Sequence, residues 1–184
     1  MLTVGTEPTH ALQVTRLATR IFDLLERTHL LKSRDRELLQ CAALLHDIGW
    51  SVAPTGKAHH KHSAKLIRRH TWENLEPIEI ELVALTARYH RKKNPVLKHA
   101  PYARLDQRER RRVNALAALL RMADALDRSH TSIVRSLSVR FAPEGICLLA
   151  SVRGMATEEE YGFLKKRDLF IQHFEQPITL DVRS

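Results

Sequence analysis

Cysteine, aromatic residues and long apolar runs are all scarce in this sequence, and each shortage closes off a class of protein. Only Cys41 and Cys147 are present, too few for a disulfide framework, and they read as reduced, packed thiols. Aromatic residues make up 5% of the chain and do not interleave with its basic clusters, so a surface that stacks nucleic-acid bases finds little support. No run approaches the roughly 18 apolar residues of a membrane span, and the start MLTVGTEPTH has neither the basic region nor the apolar core of a signal peptide. The expected location is therefore cytoplasmic, away from membranes. Acidic residues are outnumbered as well: 21 Asp and Glu against 30 Lys and Arg give a formal net charge of +9. That balance favours a polyanionic partner, without choosing among them.

What is present suffices for one sizeable core, since 43% of the 184 residues are hydrophobic. The row Val14, Leu17, Ile21, Leu24 has helical spacing and predicts a helix from Thr9, as N-cap, to about Arg27. His10 lies on the same stripe. A second helix is expected from Ser33 to Gly49, with His46 and Asp47 in its last turn. Ser51–Lys57, holding Pro54 and Gly56, reads as a loop and His59–His70 as a short helix. Pro77 opens a further helix whose row Ile80, Val83, Ala87 is continued by His90. After a basic connector, Asp106 and Glu109 stand at capping-box spacing before the row Val113, Ala117, Leu120, Asp124. Beyond Thr131 the apolar period changes to two, predicting a hairpin through Leu137–Phe141 and Ile146–Val152 around a turn at APEG. A helix over Thr157–Phe174 and a short strand at Ile178–Val182 complete a β-β-α-β tail.

Eleven histidines are many for this length, and their positions matter more than their number. His10, His46, His90 and Asp124 each continue the apolar stripe of a different predicted helix, where an imidazole or carboxylate is costly to bury alone. One metal ion would satisfy all four. Nitrogen ligands beside carboxylates suit Mn, Fe, Ni, Co or Zn, and the adjacent pair His46-Asp47 offers two donors from one helix end.

The order His10, then His46-Asp47 within ALLHDIGW, then Asp124 within RMADALD resembles the HD metal-dependent phosphohydrolase superfamily. The stretches ALLHDIGW, HHKHSAKLI, ARYHRK and LLRMADALDRSH resemble more closely the C-terminal HD-like region of the exopolyphosphatase and guanosine pentaphosphate phosphohydrolase (Ppx/GppA) family, over nearly the whole chain. The resemblance implies a mainly α fold, an HD-type helical domain over residues 1–131 with a small α+β subdomain over 132–184. It implies His10, His46, Asp47 and Asp124 as ligands of a first divalent ion, with Mg added to the metals above. His59 and His90 are the candidates for a second ion, with His60 and His62 competing for the place of His59. Many HD enzymes read HDIGK where this chain has Trp50. The Ppx/GppA family is understood to hydrolyse polyphosphate in an N-terminal actin-like part that nothing here resembles, so that activity is not carried over.

With two ions, Asp47 is expected to bridge them and, together with His46, to serve an in-line attack of activated water on phosphorus. Lys57, Lys61, Arg91, Lys92 and Arg128 flank these residues and are candidates to clamp phosphate. The leading expectation is a phosphohydrolase acting on a nucleotide, a guanosine alarmone or another phosphorylated compound. The alternatives are a non-catalytic module that binds polyphosphate or a nucleotide, and an interaction subunit whose metal is structural. Nucleic acid ranks lower as a partner, and a homo-oligomer is left open.

Overall fold

Apolar spacing of three and four residues converts directly into buried helix faces. Val14, Leu17 and Ile21 are fully buried, as are Leu39, Ala42, Val83, Ala87, Val113, Ala117 and Leu120. Each such aliphatic side chain contributes roughly 1.5–3 kcal/mol relative to leaving it in water. The computed structural model describes residues 7–53 and 55–183. Residues 1–6, which hold most of the start read above for a signal peptide, Pro54 of the expected loop and Ser184 lie outside the described residues.

The chain is mainly helical with a three-stranded sheet near its C-terminus, the class expected from the pattern. In order come α1 (Pro8–Leu24), α2 (Ser33–Leu45), a 3-10 helix (Ile48–Val52), α3 (His59–Arg69), α4 (Pro77–Arg88), α5 (Ala100–Ala103) and α6 (Gln107–Ala125). They are followed by β1 (Val134–Ala142), β2 (Gly145–Val152), α7 (Thr157–Lys166), α8 (Asp168–Phe174) and β3 (Ile178–Arg183). Helix α6 is the central member, packing on α1, α2, α4, α7 and α8. The Asp106 carboxylate accepts from the Glu109 backbone N–H at 2.7 Å and the Glu109 carboxylate accepts from the Asp106 N–H at 2.9 Å, which is the capping box read from the spacing. No described helix is long and apolar enough to cross a membrane.

Three boundaries differ from the expectation. Thr9 is not the N-cap of α1: Glu7 is, and Pro8 takes the first helical position, where its missing N–H costs nothing. Helix α2 stops at Leu45 rather than Gly49, because the chain tightens at Asp47 into the 3-10 turn that holds Gly49. The helix expected over Thr157–Phe174 breaks at Arg167, whose guanidinium donates to the Ile178 carbonyl at 2.8 Å, and α8 restarts to bury Leu169 and Phe170. The hairpin pairs Leu137 with Ala150 and Val139 with Leu148, and β3 then joins β2 in parallel, with Leu180 beside Leu148. A parallel neighbour requires a crossover, which α7 and α8 supply. Both cysteines are free, and burial raises the Cys41 thiol to about 11, leaving it unreactive.

Candidate metal centre

The helices that carry the polar interruptions of the apolar stripes end around one point. His46 is the C-cap of α2, His90 follows the C-cap of α4, and Asp124 sits in the last turn of α6. Three helix C-termini, each with partial negative charge, favour a cation there. His10, in the first turn of α1, and His59, the first residue of α3, complete the circle. His10, His46, His59 and His90 are each no more than 3% exposed.

The imidazole tautomers are set by backbone carbonyls. His46 Nδ1 donates to the Ala43 carbonyl at 2.7 Å, His90 Nδ1 to the Ala87 carbonyl at 2.6 Å and His59 Nδ1 to the Gly56 carbonyl at 3.0 Å. A neutral imidazole has one N–H and one lone pair, so in each ring the lone pair is on Nε2. Those lone pairs face carboxylate oxygens: His46 Nε2 lies 3.6 Å from Asp47 Oδ2 and 3.9 Å from Asp124 Oδ1, His90 Nε2 3.5 Å from Asp47 Oδ1, and His59 Nε2 3.1 Å from Asp47 Oδ1. The buried atoms His10 Nε2, His46 Nε2 and Asp47 Oδ1 have no hydrogen-bond partner. Acceptors facing acceptors in a buried site are tolerable when a cation stands between them.

Two donor sets meet the geometric requirement for an ion, His10 with His46 and Asp124, and His46 with Asp47 and His90, the atoms of each set lying within 4.8 Å of one another. They share His46, which has a single free lone pair, so His46 serves one ion. His59 belongs to neither set. Its Nε2 also receives the Arg91 guanidinium at 3.1 Å, so ligation by His59 requires Arg91 to release it. Among the competing histidines, His59 is the one beside Asp47; His60 is buried and lines a neighbouring cavity, and His62 is half-buried.

The electrostatics follow the same layout. Burial works against ionisation of Asp47, but His46, His59 and His90 outweigh it and hold the carboxyl below the usual range. Burial likewise opposes ionisation of Asp124, and the Lys166 ammonium with His10 more than offsets it. Burial pushes His90 down to about 3, keeping its ring neutral and its lone pair free. For His10, burial favours the neutral ring, yet hydrogen bonds and attraction from Asp124 and Asp127 win and raise it to about 9. A proton therefore holds the place at His10 that a metal would take, and a bound ion must displace it. Metal affinity is expected to rise about tenfold per pH unit from neutrality towards about 9, with release of about one proton per ion. Titration calorimetry in buffers of different ionisation enthalpy measures that release, and enthalpies independent of buffer would contradict it.

Around the donors lies a cleft of about 370 Å³, walled by Trp50, Arg91, Lys92, Arg128, His130 and Lys166. Of the five candidate phosphate clamps, Arg91, Lys92 and Arg128 are in this cleft, whereas Lys57 and Lys61 line a neighbouring cavity. Trp50, in the place of the HDIGK lysine, stacks on His59 with ring centroids 4.7 Å apart. Its indole fills the space a side chain at Gly56 would need, and Gly56 has a φ of 68°.

Three residues of the site were missing from the sequence reading. Asp127 is fully buried and its Oδ2 accepts from His10 Nδ1 at 2.8 Å, while Oδ1 accepts from the Ser132 N–H. This leaves Nε2 as the inward nitrogen, the one that would give up its proton to a metal. The Asp124 to Asp127 spacing of three was the available signal. Asp127→Asn is expected to weaken metal binding about 10–100-fold, as read by competition against a chelating indicator; an unchanged affinity would mean that Asp127 only closes the turn. Lys166 reaches Asp124 from α7, with no local signal. Arg121, buried within α6, donates to the Tyr89 and Lys92 carbonyls, Asn94 and Asp168 and so braces the segment carrying His90, Arg91 and Lys92.

A family model described as Ppx/GppA phosphatase, domain III, matches residues 3–175 of the chain. No curated protein matches it.

Proposed function

The chain belongs to the Ppx/GppA phosphatase domain III family, and from that premise we propose that its buried His/Asp cluster is an HD-type, metal-dependent phosphohydrolase centre. The substrate is a phosphate ester or anhydride of a nucleotide, guanosine alarmone or related phosphorylated compound. The observation that carries this reading is the pair of inward Nε2 lone pairs at His46 and His90, which face Asp47 and Asp124, with His46 Nε2 and Asp47 Oδ1 buried and without a hydrogen-bond partner. The donor set fits a divalent transition ion, nitrogen and carboxylate together, or Mg with fewer of the imidazoles.

In this reading His10, His46, Asp47 and Asp124 hold a first ion, and Asp47, His59 and His90 a second. Divalent metal in such a site supplies Lewis acidity to a phosphoryl oxygen and lowers the pKa of water towards neutrality. The chain's own residues do the rest. Arg91 and Arg128, which both line the cleft, are suited to bind non-bridging phosphoryl oxygens in the bidentate manner of guanidinium, with Lys92 adding charge. Trp50 and His59, stacked together, close one side and exclude water from it. Lys166, held against Asp124, brings from the C-terminal part a cation where the HDIGK lysine is missing.

That ion pair also favours a second reading. An ammonium already seated on Asp124 is what a binding module would use in place of a metal, which describes a non-catalytic polyphosphate- or nucleotide-binding unit related to the C-terminal region of exopolyphosphatases. Phosphate release from nucleoside polyphosphates, guanosine tetraphosphate and inorganic polyphosphate separates the two. Turnover abolished by chelation and restored by manganese supports the hydrolase. Salt-sensitive binding with no phosphate released supports the module.

A further inference from the structure

Behind the metal cleft, past the turn at His90, is a second cavity of about 440 Å³ that shares Arg91 and Lys92 with it. Its remaining charged wall is Lys57, Lys61, Arg88 and Lys93, and no carboxylate lines it. Among the described residues none of these six cations is in an ion pair, unlike Arg34 with Glu79 or Arg68 with Glu81 elsewhere on the chain. From these features we infer that this cavity is a second binding site for a phosphoryl anion, distinct from the metal centre.

His60 supplies an independent observation. Its ring is 7% exposed and faces this cavity, and its buried Nδ1 has no hydrogen-bond partner. The ring centroid lies 6.5 Å from that of His90, with the two rings nearly perpendicular, so the imidazoles of the two sites are close neighbours. A buried imidazole nitrogen left unpaired carries a desolvation penalty that an anionic oxygen would relieve.

The backbone has the same polarity. Helix α3, eleven residues long, begins here without a side-chain cap, and Ala58, His60 and Lys61 of its first turn line the cavity. An uncapped N-terminus presents N–H groups and positive partial charge to an anion. A metal cation is excluded by the six like charges. A nucleobase is disfavoured because Tyr89 is only 2% exposed and His99, the other ring beside it in the lining, is already stacked on it. What remains is a compact, multiply charged oxyanion of the phosphate type.

The anion has two sources: a separate phosphate, or the distal phosphoryl group of a ligand whose other end lies in the metal cleft. The second rests on the proposed hydrolase reading; the site itself does not. Calorimetric titration of the full chain with inorganic phosphate and with tripolyphosphate, after chelation and again with manganese, addresses both. The metal-free protein is expected to bind both anions, weakening as salt rises from about 50 to 200 mM. The double variant Lys61→Ala, Lys93→Ala alters two exposed side chains that line only this cavity, and is expected to lose about tenfold or more in affinity. A thermal melt equal to wild type shows that the fold is kept. If manganese strengthens tripolyphosphate binding but not phosphate binding, and the double variant loses that gain, one ligand spans both sites. If phosphate binds equally with and without manganese and tripolyphosphate gains nothing, the cavity takes a separate phosphate. Failure to retain manganese sinks the hydrolase reading while leaving anion binding by the metal-free protein intact. Wild-type affinities in the double variant, under both conditions, would overturn the inference.

Discussion

Asp47→Ala is expected to remove divalent metal from the protein and to lower phosphohydrolase turnover by about a thousandfold. The carboxylate is approached by three Nε2 atoms, those of His46, His59 and His90, at 3.6, 3.1 and 3.5 Å. Without it the donor set of His46 and His90 loses its anionic member, and His59 loses its neighbour in the cluster. Lewis-acid stabilisation of a phosphoryl transition state is worth several kcal/mol, which corresponds to roughly three orders of magnitude in rate. Asp124 remains, so a weak residual site with His10 and His46 is expected rather than none. The check is metal content after dialysis, together with phosphate release at saturating substrate. A variant that retains wild-type metal and turnover would show that Asp47 is not a ligand.

Gly49→Ala is expected to cost about 3 kcal/mol of stability and to disturb the same centre from outside the donor set. A Cβ at Gly49 would stand 2.1 Å from the His59 carbonyl oxygen and 2.5 Å from the Ser63 nitrogen. Both are backbone atoms at the start of α3, so no side chain can turn aside and α3 must move. The contact is held by the Gly49 N–H, which donates to Ser63 Oγ at 2.9 Å, while that hydroxyl donates to the His59 carbonyl. Overpacking of this kind costs typically 1–3 kcal/mol or more, and for a chain of this size lowers the melting temperature by about 6–12 °C. Because α3 carries His59, the variant should also loosen the second donor group while leaving His10, His46 and Asp124 in place. Urea unfolding and a thermal melt measure the first effect. A melt within about one degree of wild type would contradict the close approach.

How far the centre was legible depended on whether a residue's position is set by its own helix or by the packing of another. His10, His46, His90 and Asp124 stood out because each interrupts an apolar stripe, and the stripe dictates the buried face. His59 could not be separated from His60 and His62 by spacing, since all three lie within the first turn of α3. Its choice is made by the phase of α3 against Gly49, a tertiary contact. Asp127 lies two residues beyond the end of α6, where helical periodicity no longer applies, although its separation from Asp124 continues one more turn. Lys57 and Lys61 were grouped with Arg91 and Lys92 by charge, yet only the latter two reach the metal cleft, and Lys57 and Lys61 line the neighbouring cavity alone. Lys166 falls within the helix expected over Thr157–Phe174 and arrives beside Asp124 because α7 packs on α6, 42 residues downstream in sequence.

The fold shows the same division. The capping box at Asp106 and the alternation of the hairpin are local patterns, and they were legible. The break at Arg167 has neither Gly nor Pro to mark it; the chain turns there because the Arg167 guanidinium reaches the Ile178 carbonyl and α8 packs on α6. The parallel pairing of β3 with β2 is equally a product of that crossover.

Crystals grown with manganese and measured at a wavelength where it scatters anomalously test the centre most directly. A peak is expected within about 2.3 Å of His46 Nε2, between Asp124 and Asp47, with His10 Nδ1 still donating to Asp127. Saturating manganese with no peak at that position, or with peaks confined to histidines such as His62 and His70, would contradict it.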